Sequence, residues 1–507
     1  MRTCPRLSVL GITTLLAAML LVSCLAPGGC DASRFRLVYC TYLGGPAWEQ
    51  AREIIPYPDG SVLIGAQVNS DGLPVSEGAA QPHYAGDDPN LGPGGVYGGD
   101  CYLAHLSADG SEVLAGTYFG GSRQERNTYG MGLDRQGNIV ITTTTRSTDI
   151  HTTPGCFQPK YAGGENEIVV AKITPDCKKV LWCTYLGGSA GESPRGGLGI
   201  DAEDNVYIVG TTNSANYPTT PGVVGGKLKG PRDSLISKLS PDGSQLLMST
   251  LLGGTGEDDA IMGIRLDKAG NLYVAGHTRS ADFPVTPGAP QPKLGGQSDC
   301  YLAKLSPAGD RILYATYLGG SGNEFAEHRP WLSEDGTFLL AGSWGSADFT
   351  GTVPGRRLAG RTDGFLTKLS SDGTRFVFSL LLGGAGTDNL LMPTPDRDGN
   401  IWVVGSTASR DLPVTADAFQ KSFGGGQEDA VLAAFSAEGT RLVYCSYLGG
   451  TGDEMIRSLA FGPDGALYLV GNTTSPNFPA TPGALQTRFG GGPSDAFVMK
   501  LVPTGTE

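Results

Sequence analysis

Basic residues are scarce in this chain. Its 507 residues hold 37 Lys and Arg against 50 Asp and Glu, for a formal net charge of −13 and a pI near 4.9. No Lys/Arg-rich run occurs anywhere. Nucleic acids and anionic membrane surfaces select for basic patches, so neither surface is an expected partner. Histidine is scarcer still. His83, His105, His151, His277 and His328 are the five, and none has metal-ligand spacing with another, which argues against a histidine-rich catalytic centre. No Gly-x-Ser-x-Gly elbow, phosphate loop or dinucleotide fingerprint stands in a usable context. Helical periodicity is absent too, so the many glycine pairs lack the helix N-terminus that phosphate binding needs.

Glycine, at 78 residues, and proline, at 33, are abundant, and they sit at fixed places. Seven times an aromatic or apolar pair runs into a double glycine, in forms of Tyr-Leu-Gly-Gly. The pairs are Gly44-Gly45, Gly120-Gly121, Gly187-Gly188, Gly253-Gly254, Gly319-Gly320, Gly383-Gly384 and Gly449-Gly450, spaced by 76, 67, 66, 66, 64 and 66 residues. One unit copied seven times fixes architecture before residue chemistry is considered.

The fourth copy shows the unit. After Gly253-Gly254 comes a loop, then Ile261 to Leu266 with apolar residues near period two. Asp267-Lys-Ala-Gly-Asn271 has turn chemistry, and Leu272 to Gly276 forms the second arm of a hairpin. A proline-bearing loop leads to a third strand, Asp299 to Leu305, and a turn leads to a fourth, Ile312 to Leu318. Four antiparallel strands repeated seven times predict an all-β, seven-bladed β-propeller over residues 36–507. A parallel β-helix would use far shorter repeats. The chain enters on a fourth-type strand, Arg36 to Leu43, and leaves on a third-type strand, Asp495 to Leu501. The N-terminal strand is therefore expected to complete the last blade and close the ring, removing an open edge.

Arg2 and Arg6 precede an apolar run from Leu7 to Val22, too short for a membrane span and fitting a signal peptide. Leu21-Val22-Ser23-Cys24 resembles the bacterial lipobox. A lipoprotein signal over 1–23, lipidation at Cys24 and a tether over 24–35 are expected, the alternative being an ordinary signal cut near Ala26. Export in either form places the protein in an oxidising compartment, periplasmic or at the cell surface.

Tyr317-Leu-Gly-Gly-Ser-Gly, the Asp-x-x-Gly-Asn-Leu-Tyr-Val-Ala-Gly hairpin, Asp282-Phe-Pro-x-Thr-Pro-Gly-Ala289, and Gly295-Gly-x-x-Asp299-x-Tyr-Leu-Ala-Lys-Leu305 resemble the bacterial SBBP repeat, named for a seven-bladed propeller. The resemblance spans roughly residues 36–502. It implies architecture and an exported bacterial protein, and it brings no catalytic motif to carry over. The first copy has an insertion around Asp87 to Gly99. The fifth has Ser333-Glu-Asp-Gly-Thr in place of Asp-x-x-Gly-Asn and lacks the usual proline after Phe349.

Four residues after the second glycine of each pair stands an acid: Glu49, Glu125, Glu192, Asp258, Glu324, Asp388 and Glu454. The third strands likewise open on Asp100, Glu167, Asp233, Asp299, Asp363, Asp429 and Asp495. Both sets are expected toward one face, the first near the central channel. Such acids could line a mouth that binds Ca²⁺, or could accept backbone amides from the glycine turns, and recurrence in every copy favours the second reading. Lys172, Lys238, Lys304, Lys368 and Lys500 recur in the third strand and read as inter-blade packing stems with solvated or paired heads. Positions that break step with the repeat are sharper candidates. Glu327, His328 and Arg329 stand where other copies run apolar or glycine-rich, and could bind an anionic ligand or act in acid/base chemistry, the alternative being a local packing variation with an exposed histidine; Arg126, Tyr129 and Arg195 are weaker departures. The cysteines form no recurring framework, with Cys156–Cys177 and Cys30–Cys40 as candidate pairs. The expected function is a non-catalytic, lipid-anchored binding or scaffolding module at the cell envelope, monomeric and with a protein or glycan ligand. The alternative is a propeller hydrolase or lyase acting on a sugar or lactone with a channel-mouth metal.

Overall fold

A computed structural model describes residues 33–86, 98–348 and 358–504. The signal segment, Cys24, Cys30, most of the tether and most of the first-copy insertion lie outside the described residues. No helix among the described residues is long and apolar enough to cross a membrane.

The described chain is all-β. Seven antiparallel sheets follow one another around a ring, and each holds four strand positions from channel to rim. Blade 4 is the regular case: Asp258–Leu266 innermost, then Leu272–Thr278, Asp299–Leu305 and Ile312–Leu318 at the rim. Ring closure follows the sequence expectation. Phe35–Leu43 pairs antiparallel with Asp495–Pro503, so the last blade takes its outer strand from the start of the chain.

The second strand of most blades is buried along its whole length, as in Val62–Val68, Ile139–Thr145, Val206–Thr212 and Leu272–Thr278. Such strands lack a strict apolar/polar alternation because neighbouring blades cover both faces, and even the threonines of Ile139–Thr145 are buried. The core is accordingly divided among the seams. One cluster joins Tyr207, Val209 and Ile236 of blade 3 to Val274, Tyr301 and Ala303 of blade 4, and equivalent clusters fill the other seams.

Local chemistry fixes the turns. Asp267 accepts hydrogen bonds from the amides of Ala269 and Asn271 at 3.0 and 2.9 Å, while Gly270 takes a φ of +77° that a side chain would resist. The repeating lysine closes this turn within its own blade: Lys304 Nζ lies 3.2 Å from Asp267 and 4.7 Å from the centre of the Tyr273 ring. Its head is thus paired, as Lys172 is with Asp134 and Lys238 with Asp201. Cys156 and Cys177 are both free thiols, which corrects the candidate pairing between them. Cys177 is buried, and burial pushes its thiol up to about 12.

Candidate functional site

The Tyr-Leu-Gly-Gly motif builds the seams between blades. The tyrosine hydroxyl donates to the carbonyl of a serine that follows the second strand, as Tyr317 does to Ser280 at 2.7 Å. That serine's hydroxyl in turn donates to the inner-strand acid, Ser280 to Asp258 at 2.7 Å. The second glycine's amide donates to the same acid in all seven copies, from Gly45 to Glu49 through Gly450 to Glu454, at 2.8–3.1 Å. The first glycine lies between that carboxylate and the one opening the preceding third strand. A Cβ on Gly44 would stand 2.7 Å from Asp495 and 2.8 Å from Glu49. Only glycine fits there.

Each seam therefore brings two acids together, one from each neighbouring blade. Burial raises the Glu125 and Glu167 carboxyls to about 7, and raises Asp495 to about 7. The structure does not bring three of these residues to one point: among the described residues no group of three His, Cys, Asp or Glu is arranged to hold a metal ion. Glu49, Glu125, Glu192, Asp258, Glu324, Asp388 and Glu454 each occupy a separate cradle of amides and hydroxyls.

The channel breaks this symmetry in two blades. The inner strand of blade 3 is split into Glu192–Ser193 and Leu198–Ile200, and that of blade 5 into Glu324–Phe325 and Trp331–Leu332. The blade 5 break sends Ala326 to Pro330 into the channel. Glu327 there meets Arg195 of blade 3 at 2.7 Å, Arg52 of blade 1 at 3.3 Å and Arg457 of blade 7 at 3.4 Å. Arg329 meets Glu53 of blade 1 at 2.6 Å and donates to the Met131 carbonyl of blade 2 at 3.2 Å. Five blades are thereby tied across the axis. Burial alone would raise the Glu327 carboxyl, but Arg52, Arg457 and Arg195 outweigh it and hold it well below the usual carboxylate range. His328, at a φ of +74°, is buried; desolvation, with Arg52 adding to it, holds its imidazole well below its ordinary value and therefore neutral.

Glu327, His328 and Arg329 thus lie in the channel as a plug. Of the weaker departures, Arg195 joins the same network, and Tyr129 carries the Arg52 guanidinium 5.0 Å from its ring centre. Sequence reasoning passed over Arg52, Glu53, Arg265 and Arg457. Their signal was present: each is a charge in an inner strand, where apolar or small residues predominate.

The plug separates two mouths. On the Gly-Gly face a polar cavity of about 490 Å³ is lined by Arg126, Arg195, Arg232, Asp259, Asn166 and Asn213, with Arg232 at 3.4 Å from Asp259. The register places Asp259 opposite His277, whose ring stacks on Phe325 at 4.7 Å. Phe325 is 41% exposed, the one exposed Phe, Tyr or Trp ring among the described residues. The other mouth, at the far ends of the inner strands, is a cavity of about 270 Å³ lined by apolar residues of blades 2 to 4 together with Arg265 and Arg329.

A family model for a beta-propeller repeat, SBBP, matches residues 181–218 and 249–284. Those two segments are similar to the SBBP repeat. No curated protein matches the chain. Among solved structures the propeller is similar to BamB from Moraxella catarrhalis, at 12% identity, covering 92% of this chain and 99% of that one with a TM-score of 0.40. It is similar also to the polysaccharide lyase Uly1, at 8% identity with 91% and 90% covered and a TM-score of 0.44. A europium-containing methanol dehydrogenase matches at 10% identity, with 93% of each chain covered and a TM-score of 0.41. Likenesses this distant bring no activity to this chain.

Proposed function

We propose that this propeller is an exported, non-catalytic binding or scaffolding module, held at the bacterial cell envelope by a lipid on Cys24 and presenting its channel mouths to a protein or glycan. One observation carries the reading. The groups best suited to acid/base or anion chemistry, Glu327, His328 and Arg329, are consumed by a plug: the two charged ones are ion-paired across blades, and the histidine is neutral and buried. Catalysis needs unlike groups free to meet one reacting atom, and this network ties them to each other. The cleft on the Gly-Gly face is open to a ligand, and Phe325 stands exposed at the break in blade 5, stacked on the His277 ring whose strand partner Asp259 lines that cleft.

The reading is tested in two parts. Wild-type protein should incorporate a lipid analogue and fractionate with membranes, and Cys24→Ala should do neither. A photo-crosslinker placed at Phe325 should then capture one discrete envelope component in stoichiometric amount. Soluble, unlipidated wild-type protein, or turnover of a glycan or lactone by the purified chain, would overturn it.

A further inference from the structure

The channel carries an excess of positive charge that its own carboxylates do not balance. Arg52, Arg195, Arg265, Arg329 and Arg457 are gathered there against Glu53 and Glu327, so five cations meet two anions in a protein whose formal net charge is −13. Four of the arginines are paired with those two acids. Arg265 is the remainder. Among the described residues no carboxylate lies within ion-pair reach of it, and its one hydrogen bond is a long one, 3.5 Å, to the carbonyl of Ile264. Arg329, beside it, has a buried Nε without a partner. Glu53 attracts Arg265 only from beyond ion-pair reach and is itself paired with Arg329, so the charge of Arg265 is partly countered at best. A cation so placed is costly, and an anion that supplies both charge and hydrogen bonds relieves that cost.

The cavity that Arg265 and Arg329 share is the mouth opposite the Gly-Gly face. Its walls are Met131 and Leu133 of blade 2, Leu198 and Ile200 of blade 3, and Ile264 and Leu266 of blade 4. These six apolar side chains would lie poorly against a fully hydrated inorganic anion. They suit an anion that brings an apolar body. The volume, about 270 Å³, sits at the small end of ligand pockets. We propose that this mouth binds a small monocarboxylate with a short apolar body, its carboxylate held by Arg265 and Arg329 and its body laid on Leu133, Leu198 and Ile264. The planar guanidinium fork matches a carboxylate in two parallel bonds, which a lysine at the same place would not. The inference rests on the reading of the chain as a binding module, and adds a second site and a ligand class to it.

The test is calorimetric titration and thermal shift with hexanoate, using hexan-1-ol as the body without the charge and acetate as the charge without the body. Hexanoate should bind and raise Tm, and each control should bind at least about tenfold more weakly. Arg265→Met, of similar length and without charge, should weaken hexanoate by at least about tenfold and, with no ligand present, should leave Tm unchanged or raised, because an unpaired cation has been removed. No heat and no shift with excess hexanoate would overturn the proposal. So would equal binding by Arg265→Met, or a marked loss of stability in that variant, which would make Arg265 a structural residue. If hexanoate fails while Phe325 cross-linking still captures its envelope component, this inference falls alone; if both fail, the binding-module reading falls with it.

Discussion

At the seams between blades each carboxylate faces amides and hydroxyls, whereas in the channel each carboxylate faces guanidinium groups. The seam acids are pushed up by burial, as Glu125 and Glu167 are, while Glu327 is held well down by three arginines. The difference lies in what the repeat can supply. A unit copied seven times delivers the same partners to every copy, and backbone amides from Gly-Gly turns are such partners. A plug that bridges blades 1, 2, 3, 5 and 7 needs a different residue from each, so it exists once and only because two inner strands leave the repeat.

The largest effect separating the two regions is expected from Glu327→Ala. It leaves Arg52, Arg195 and Arg457 without their shared partner, and removing one member of a buried charge network costs about 3–5 kcal/mol. Denaturant unfolding should show the loss as a lower midpoint. A change under about 1 kcal/mol would mean that water already screens the network.

Gly253→Ala should come next, at about 1–3 kcal/mol for forced overpacking. The added Cβ would stand 2.7 Å from both Asp233 and Asp258, and the backbone there needs no positive φ, so the effect is steric alone. The same substitution at Gly465, a positive-φ position with nothing near its Cβ, tests backbone strain without crowding. If Gly253→Ala were neutral, the seam would be looser than its paired acids imply.

A third contrast is visible in pH. Burial raises Glu125, Glu167 and Asp495 to about 7 and Asp429 to about 6, above ordinary values of 4.5 for Glu and 3.8 for Asp. A carboxyl raised on folding contributes stability that is complete below its ordinary value and lost as pH rises through its folded value. Seam stability should therefore decline between about pH 4 and about pH 7. The turn acids Asp134, Asp201 and Asp267 are shifted the other way: burial opposes the shift, but bonds from the turn's asparagine and the paired lysine outweigh it. Their contribution is present above about 4 and lost below it. Thermal melts across pH should peak in mildly acid solution, and a maximum near pH 8 would show that the turns outweigh the seams.

Most of the fold was legible because its determinants are local and repeated. Tyr-Leu-Gly-Gly, the Asp-x-x-Gly-Asn turn and the offset between the chain ends each lie within a few residues, and together they give seven blades and the closing strand. The acids' cradles were legible for the same reason, since Gly45 and Glu49 are four residues apart. The plug was half legible. Glu327, His328 and Arg329 stand out against the repeat, but their partners lie up to 276 residues away, as Glu53 does from Arg329. Nothing short of the folded ring shows which inner-strand charges meet. The lysine heads were open between solvent and pairing for a related reason, because Asp267 and Lys304 become neighbours only when their strands pair.

The smallest effect on stability should come from Phe325→Ala, and it sharpens the comparison most. Phe325 sits at the break in blade 5, 41% exposed, with one face stacked on the His277 ring. His277 is buried and held down to about 3, chiefly by desolvation, so this contact is ring on neutral ring and not a cation on a π face. With two-fifths of its surface left in water and no place in a seam cluster, its truncation should change stability by no more than about 1 kcal/mol. If the irregular inner strands serve ligands while the seams serve the ring, Phe325→Ala should melt close to wild type and lose its envelope component. A variant that melts well below wild type would place Phe325 with the seams, as part of the architecture.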